Sequence, residues 1–316
     1  MADAQRGATV LDLAARAASV IRGDSIQWEK YLTPEDKTRI VPAEAIAEEG
    51  TKRLMIAPEN ERGLTLPWVK VRNDVLIRPG KLAIWAGWTH HGKTQMVKQL
   101  MLHGISTSEK CLVASMEEEV VDVWADMATI ACGAQEPKLR DLKRFTEFVR
   151  GNLWFYDQHG MVDARRIQAL IRYAAAELKI THAVIDSLMM LALDRDDYEA
   201  QAKFVGELKT TAKDTGVTIH LVAHMRKREG KGGDESPGTI HDISGGHEIA
   251  SKADYVFIVW RDKKPNAQPS TILKVDKQRG RKNWVGTVGL NFHAQSRQFV
   301  EDVHPMRFWG EEEQPF

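Results

Sequence analysis

One eight-residue string constrains this chain more than any other part of it: Gly87-Trp88-Thr89-His90-His91-Gly92-Lys93-Thr94, which fits the pattern GxxxxGK[ST]. It follows the apolar run KLAIWA and precedes QMVKQLMLHGI, a helix-forming pattern that starts at Gln95. A glycine-rich turn between a strand and a helix lets the backbone curl, so that its N–H groups and the positive end of the helix surround an anion. Residues 87–95 therefore read as a phosphate cradle for a nucleotide such as ATP. Lys93 would reach the β and γ phosphates, and the Thr94 hydroxyl would ligate Mg2+. His90 and His91 stand at the tip of the loop and read as spacers rather than as ligands or bases.

A cradle of this kind needs a sheet to carry it, and the rest of the chain supplies the pattern. From residue 81 onward, short apolar runs alternate with longer helical stretches: KLAIWA, CLVASM, LWFYD, THAVIDSL, VTIHLVAH and DYVFIVW. That order predicts an α/β fold with a mainly parallel twisted sheet and helices on both faces. TILKVDK and TVGLNF lie close together near the C-terminus, separated by QRGRKNW, and predict an antiparallel hairpin. Residues 1–65 carry amphipathic pieces at 10–21 and 42–49, then the loop-like APENERGLTLPW, too little for a globular domain of their own. The expected division is a helical linker segment over 1–65 and one large domain over 66–316.

A nucleotide site of this type needs two carboxylates. One holds magnesium and usually ends a buried strand; Asp186 in VIDSL fits, with a strand-end aspartate capping the next turn as the alternative. The other positions the attacking water, since phosphoryl transfer depends mainly on orientation and charge stabilisation. Glu117 is the best candidate: it ends CLVASM, a strand expected beside the phosphate strand, while Glu118 and Glu119 are expected to begin the next helix.

Composition narrows the class further. Hydrophobic residues make up 43% and charged residues 28%, as in globular chains, and no apolar run approaches the roughly 20 residues that span a bilayer. No signal-like segment opens the chain, so a cytoplasmic location without membrane contact is expected. Cys111 and Cys132 have no zinc-site spacing and read as structural thiols. The formal net charge is zero, so contact with nucleic acid would require a local basic patch.

Over residues 66–302 the order and spacing of these motifs resemble the hexameric replicative DNA helicases of the DnaB and Twinkle type, including phage primase-helicases. The resemblance implies a RecA-like P-loop NTPase core and an ATP hydrolase coupled to DNA unwinding. It supports Glu117 as the catalytic glutamate and makes VIDSL the Walker B element. It places His224 of LVAHMRK as the γ-phosphate sensor, although a satisfied core histidine is the alternative from the residue itself. It puts the following loop, with Arg226, Lys227, Arg228 and Lys231, on the phosphates of single-stranded DNA; read alone, that charge run would be a solvated face. In LKVDKQRGRKNWVG the resemblance implies an arginine finger at Arg279 acting on a neighbouring subunit, with Lys277 as companion and Arg281 as a substitute. Arg261 and Phe292 would sandwich the adenine, with core packing the rival role for Phe292.

Two departures stand out. Family members often carry a glutamine where this chain has Ser251, and residues 1–65 hold neither a zinc ribbon nor a primase domain, so this chain is expected not to prime. The segment 10–21 resembles in position the linker helix that docks on an adjacent subunit; a plain surface helix is the alternative. The resemblance thus implies a hexameric ring that moves 5′ to 3′ on single-stranded and forked DNA, served by a separate primase or polymerase, from a phage and acting in the host cytoplasm. A RecA or RadA-type strand-exchange ATPase and a non-unwinding loader or regulatory ATPase are the alternatives.

Overall fold

The computed structural model describes residues 42–56, 60–157, 160–190, 197–226, 235–264, 266–280, 283–302 and 304–309. Internal contacts divide the chain into two units, Met1–Glu61 and Arg62–Phe316. In the first, a 3-10 turn (Ala43–Ile46) runs into helix α1 (Ala47–Met55), on which Leu54 and Met55 are exposed. The amphipathic piece expected at 42–49 is thus the start of a helix reaching Met55. The one at 10–21 lies outside the described residues, as does Arg281.

The second unit opens with a two-strand ribbon, β1 (Leu64–Thr65) and β2 (Leu76–Ile77), around the short helix α2 (Val69–Arg72). The stretch expected as a loop is therefore structured from Leu64 onward: Leu66 and Trp68 are fully buried, and the Trp68 indole donates to the Phe299 carbonyl at 2.8 Å. The chain then alternates through β3 (Leu82–Gly87), α3 (Lys93–Ser106), β4 (Cys111–Ser115), α4 (Val120–Cys132) and α5 (Leu139–Val149). It continues with β5 (Leu153–Phe155), α6 (Ala164–Tyr173), β6 (His182–Asp186), α7 (Tyr198–Thr215) and β7 (Thr218–His224). It closes with α8 (Gly246–Lys252), β8 (Tyr255–Arg261), β9 (Thr271–Gln278), β10 (Gly286–His293) and β11 (Gln298–Val300).

One nine-stranded sheet runs in the order β11-β10-β9-β8-β3-β7-β6-β4-β5. β8, β3, β7, β6, β4 and β5 are mutually parallel, and β9, β10 and β11 add an antiparallel edge. The expected β9–β10 hairpin is present and continues into β11, which the apolar runs did not reveal. The expectation that CLVASM lies beside the phosphate strand is wrong, because β7 and β6 separate β4 from β3. An apolar run does not specify its neighbours. Helix α3 carries the chain across three strand positions, about 14 Å at the usual interstrand spacing, and later strands fill the gap.

Both faces of the sheet are covered, so β3 is apolar throughout and its period-two alternation feeds two cores. Ala83 and Trp85 face one core with α3, α4, α5 and Phe257; Leu82, Ile84 and Ala86 face the other with α6, α7 and α8. Trp85 stacks on Phe257 at 4.2 Å. This rigid, doubly covered sheet delivers the C-terminal ends of β3, β4, β6 and β7 to one edge, where ligands bind in open α/β sheets.

Candidate active site

The turn after β3 is held from below by packing. A Cβ on Gly87 would sit 2.4 Å from the Val259 carbonyl oxygen, and one on Gly92 would sit 2.7 Å from the Phe299 ring. Gly92 also adopts φ +86°, a left-handed conformation that favours glycine. Phe299 is fixed in turn by Gln99 of α3, whose amide exchanges two hydrogen bonds with the Phe299 backbone at 2.8 and 2.9 Å. His91 departs from the expected spacer: it is fully buried, and its Nδ1 accepts the Arg261 N–H at 2.9 Å, tying the loop to the end of β8. Trp88 is also buried and donates to the Ser236 carbonyl, whereas Thr89 and His90 are exposed at the tip.

Strand register brings the remaining groups to this turn. Gly87 pairs with His224 across β3 and β7, and Ser115 pairs with Asp186 across β4 and β6. The Thr94 hydroxyl donates to Asp186 at 2.6 Å, and the Lys93 ammonium donates to the Trp88 carbonyl at 3.0 Å. Glu117, just past β4, accepts from the Ser187 hydroxyl, and its other neighbour is His224 Nε2 at 3.7 Å. Ser187 was not among the expected residues, although it directly follows Asp186 in VIDSL. Glu118 does not begin a helix: it pairs with the buried Lys98 at 2.6 Å, and α4 starts at Val120 after Glu119.

Charge is used unevenly within this cleft. The close approach of His224 and then the Ser187 hydrogen bond lower the Glu117 carboxyl to about 2 against its partial burial, so it stays ionised at neutral pH. Burial raises Asp186 to about 6 despite the Thr94 hydrogen bond, and burial lowers Lys93 to about 8 against the attraction of Asp186 and Glu117. A buried carboxylate beside a hydroxyl is a hard-oxygen donor set of the kind magnesium prefers. A buried ammonium beside curled backbone N–H groups gains most from a phosphate. Thr94 and Asp186 are thus the residues suited to hold Mg2+, and the residues present fit both groups.

The cleft measures about 360 Å³. Its outer wall carries Arg261 and Phe292, which are already in contact, the guanidinium lying 4.4 Å from the ring centroid. Phe292 also packs at 5.3 Å on the buried Phe299 ring, so the core-packing role holds for one side of it. A further element escaped the sequence reading: Lys98 bridges Glu118 and Asp126, and Asp126 pairs with Arg297 on the β10–β11 turn. Gln95 joins the same wall by donating to the Arg297 carbonyl at 2.7 Å.

Lys277 and Arg279 lie elsewhere. Lys277 donates to the carbonyls of Ala250 and Ser251 at 2.8 Å each, and Arg279 donates to Ser251 at 3.1 Å. Both cap the C-terminal end of α8 and neither lines the cleft. The Ser251 position, left without a role in the sequence, thus serves through its carbonyl as their shared anchor. Arg226 leaves β7 beside His224, while Lys227, Arg228 and Lys231 fall outside the described residues.

The family described as the DnaB-like helicase C terminal domain matches residues 76–301. The chain belongs to that family. A "DNA helicase/primase" of Enterobacteria phage T3 is 21% identical over 274 residues, covering 80% of this chain and 48% of that protein. "Twinkle homolog protein, chloroplastic/mitochondrial" of Arabidopsis thaliana is 23% identical over 255 residues, covering 73% of this chain and 35% of that protein. This DnaB-like chain therefore spans half or less of the length of these curated relatives. Among solved structures, a DnaB-like replicative helicase studied with its primase interactions superposes with a TM-score of 0.69 at 15% identity, over 94% of this chain and 78% of that one. A solved ATPase domain also gives 0.69, at 16% identity, over 83% of this chain and 99% of that domain. The fold is thus RecA-like, as in the ATPase domains of DnaB helicases, and the family is one of replicative helicases that bind nucleotide with a metal. Among the described residues, no helix is long and apolar enough to cross a membrane.

Proposed function

We propose that this DnaB-like chain is the motor of a ring-forming helicase that hydrolyses ATP to translocate on single-stranded DNA and unwind duplex, in the 5′ to 3′ direction. One observation supports this best: Lys93, Thr94, Asp186, Ser187, Glu117 and His224 converge from four strand ends into one cleft, and the basic loop leaves directly from His224. ATP is the substrate. Lys93 and the backbone of residues 87–95 bind its phosphates; Arg261 and Phe292, stacked on each other at 4.4 Å, must part for the base to lie between them. Mg2+, when bound through Thr94 and Asp186, neutralises phosphate charge.

Glu117 is ionised at neutral pH and orients the attacking water and takes its proton, while Ser187 and His224 hold the carboxylate in place. His224 also sits at the junction between Glu117 and the loop carrying Arg226, Lys227, Arg228 and Lys231, which holds the phosphates of the strand. Arg279, with Lys277, completes a neighbouring subunit's site in a hexamer. Residues 1–65 act as a linker outside the motor, and priming and polymerisation fall to separate partners.

The test is strand separation on a fork with one 5′ and one 3′ single-stranded arm, together with electron micrographs in ATP and DNA. Closed six-membered rings that unwind only from the 5′ arm agree with the proposal. Helical filaments, or ATP hydrolysis without unwinding, overturn it.

A further inference from the structure

The root of the basic loop is built more firmly than a solvated turn requires. The outgoing and returning limbs are zipped together: Met225 bridges Ile243, Arg226 N–H donates to the Asp242 carbonyl at 2.8 Å, and Ser244 N–H donates to the His224 carbonyl at 2.8 Å. A capping box between Thr239 and Asp242 closes the returning 3-10 turn, and the Ile240 N–H donates to Asp276 of β9 at 3.0 Å. On this neck the Arg226 guanidinium lies over the Tyr198 ring at 4.3 Å, and its Nη2 lies 3.3 Å from where a Gly246 Cβ would sit. His241 and His247 stack on each other at 5.2 Å with only 13° between their planes. All four side chains are exposed, Tyr198 at 40%. Among the described residues, neither imidazole makes a hydrogen bond.

Exposed aromatic rings gathered around a guanidinium suit one chemistry above others, a chain of flat bases joined by phosphates. We infer that Tyr198, His241 and His247 form a base-stacking platform for single-stranded DNA, with Arg226 on the adjoining phosphate. The inference rests on the helicase reading and deepens it, because the loop's other basic residues account only for phosphate contacts that are blind to bases. The preformed neck reduces the ordering cost of binding. Stacking tolerates any sequence, since every base has a π face, so the platform would hold bases without selecting among them.

The experiment compares the full chain, with a non-hydrolysable ATP analogue and Mg2+, on an oligo-dT strand and on an abasic strand of equal length and charge, by fluorescence anisotropy over a range of salt. Wild type should bind the abasic strand more weakly, on the order of 5- to 100-fold. Tyr198→Ala and the double change His241→Ala with His247→Ala should erode that preference while leaving the salt slope unchanged, because they remove no phosphate contact. Equal binding of both strands by wild type would overturn the platform while leaving the helicase reading intact, and so would a preference that survives in both variants. Failure of wild type to bind either strand would overturn both.

Discussion

The cradle and the end of strand β9 are both cationic, and they are held in opposite ways. Lys93 is 5% exposed and sits among Asp186, Glu117 and the backbone of its own loop, with every supporting residue supplied by the same subunit. Among the described residues, the side chains of Lys277 and Arg279 are tied to the carbonyl end of α8, a favourable place for a cation but an undemanding one, and they line no part of the same cleft. The cradle is complete within one chain; the Lys277–Arg279 pair is parked. On the proposed function Arg279 serves a neighbour's site, for which it would exchange its backbone carbonyl for a phosphate. The position of α8 adds to the contrast, because it follows directly from the basic loop through Gly245 and Gly246.

Breaking the self-contained side should have the largest effect. Lys93→Ala removes the buried phosphate partner but leaves the packed glycines in place, so steady-state ATPase should fall below detection while thermal unfolding stays close to wild type. Hydrolysis within twofold of wild type would dismiss the cradle as the working site. Glu117→Gln keeps the size and the Ser187 contact but removes the charge, so turnover should drop by about 10²- to 10⁴-fold while ATP still binds. If Glu118→Gln abolished turnover and Glu117→Gln did not, the assignment would shift by one residue in the turn after β4. The Lys98 ion pair already engaging Glu118 argues for the opposite outcome.

The smallest expected effect concerns the sheet that carries both regions. The Trp85 indole donates to His220 Nδ1 at 3.2 Å, so His220 presents its Nε2 proton to His182 Nδ1 at 3.0 Å, a chain spanning β3, β7 and β6. Burial lowers His182 to about 3 and pushes His220 well below its ordinary value. The unfolded chain takes up protons that these residues refuse when folded. Their contribution is therefore fully present above about pH 6.5 and is lost as pH falls from there toward the folded values. At pH 5 the loss should be about 2 kcal/mol for His182, with His220 adding to it in the same direction. Denaturant midpoints at pH 7.5 and pH 5, compared between wild type and His182→Gln with His220→Gln, check this; the same pH dependence in both proteins would mean that the pair accepts a proton in the fold.

What the sequence disclosed follows the same division. The cradle was legible because its residues are contiguous and the backbone itself forms the site; Asp186 was legible as the end of an apolar run, and His224 through the family resemblance. The placement of β4 was not, since strand neighbours depend on how crossovers pack. Phe299 beneath Gly92, the Lys98–Asp126–Arg297 wall and the inward turn of His91 are contacts between residues distant in the chain, and no local pattern announces them. The anchoring of Lys277 and Arg279 on Ser251 belongs to the same group.

The most direct test of the account mixes two inactive proteins. Subunits carrying Lys93→Ala have no working cradle but an intact Arg279, and Arg279→Ala subunits have the reverse. Mixed rings, verified by native mass spectrometry to contain both, should recover part of the wild-type ATPase, because some interfaces pair an intact cradle with an intact arginine. Verified mixed rings that remain as inactive as either component would contradict the account and confine Arg279 to its own subunit.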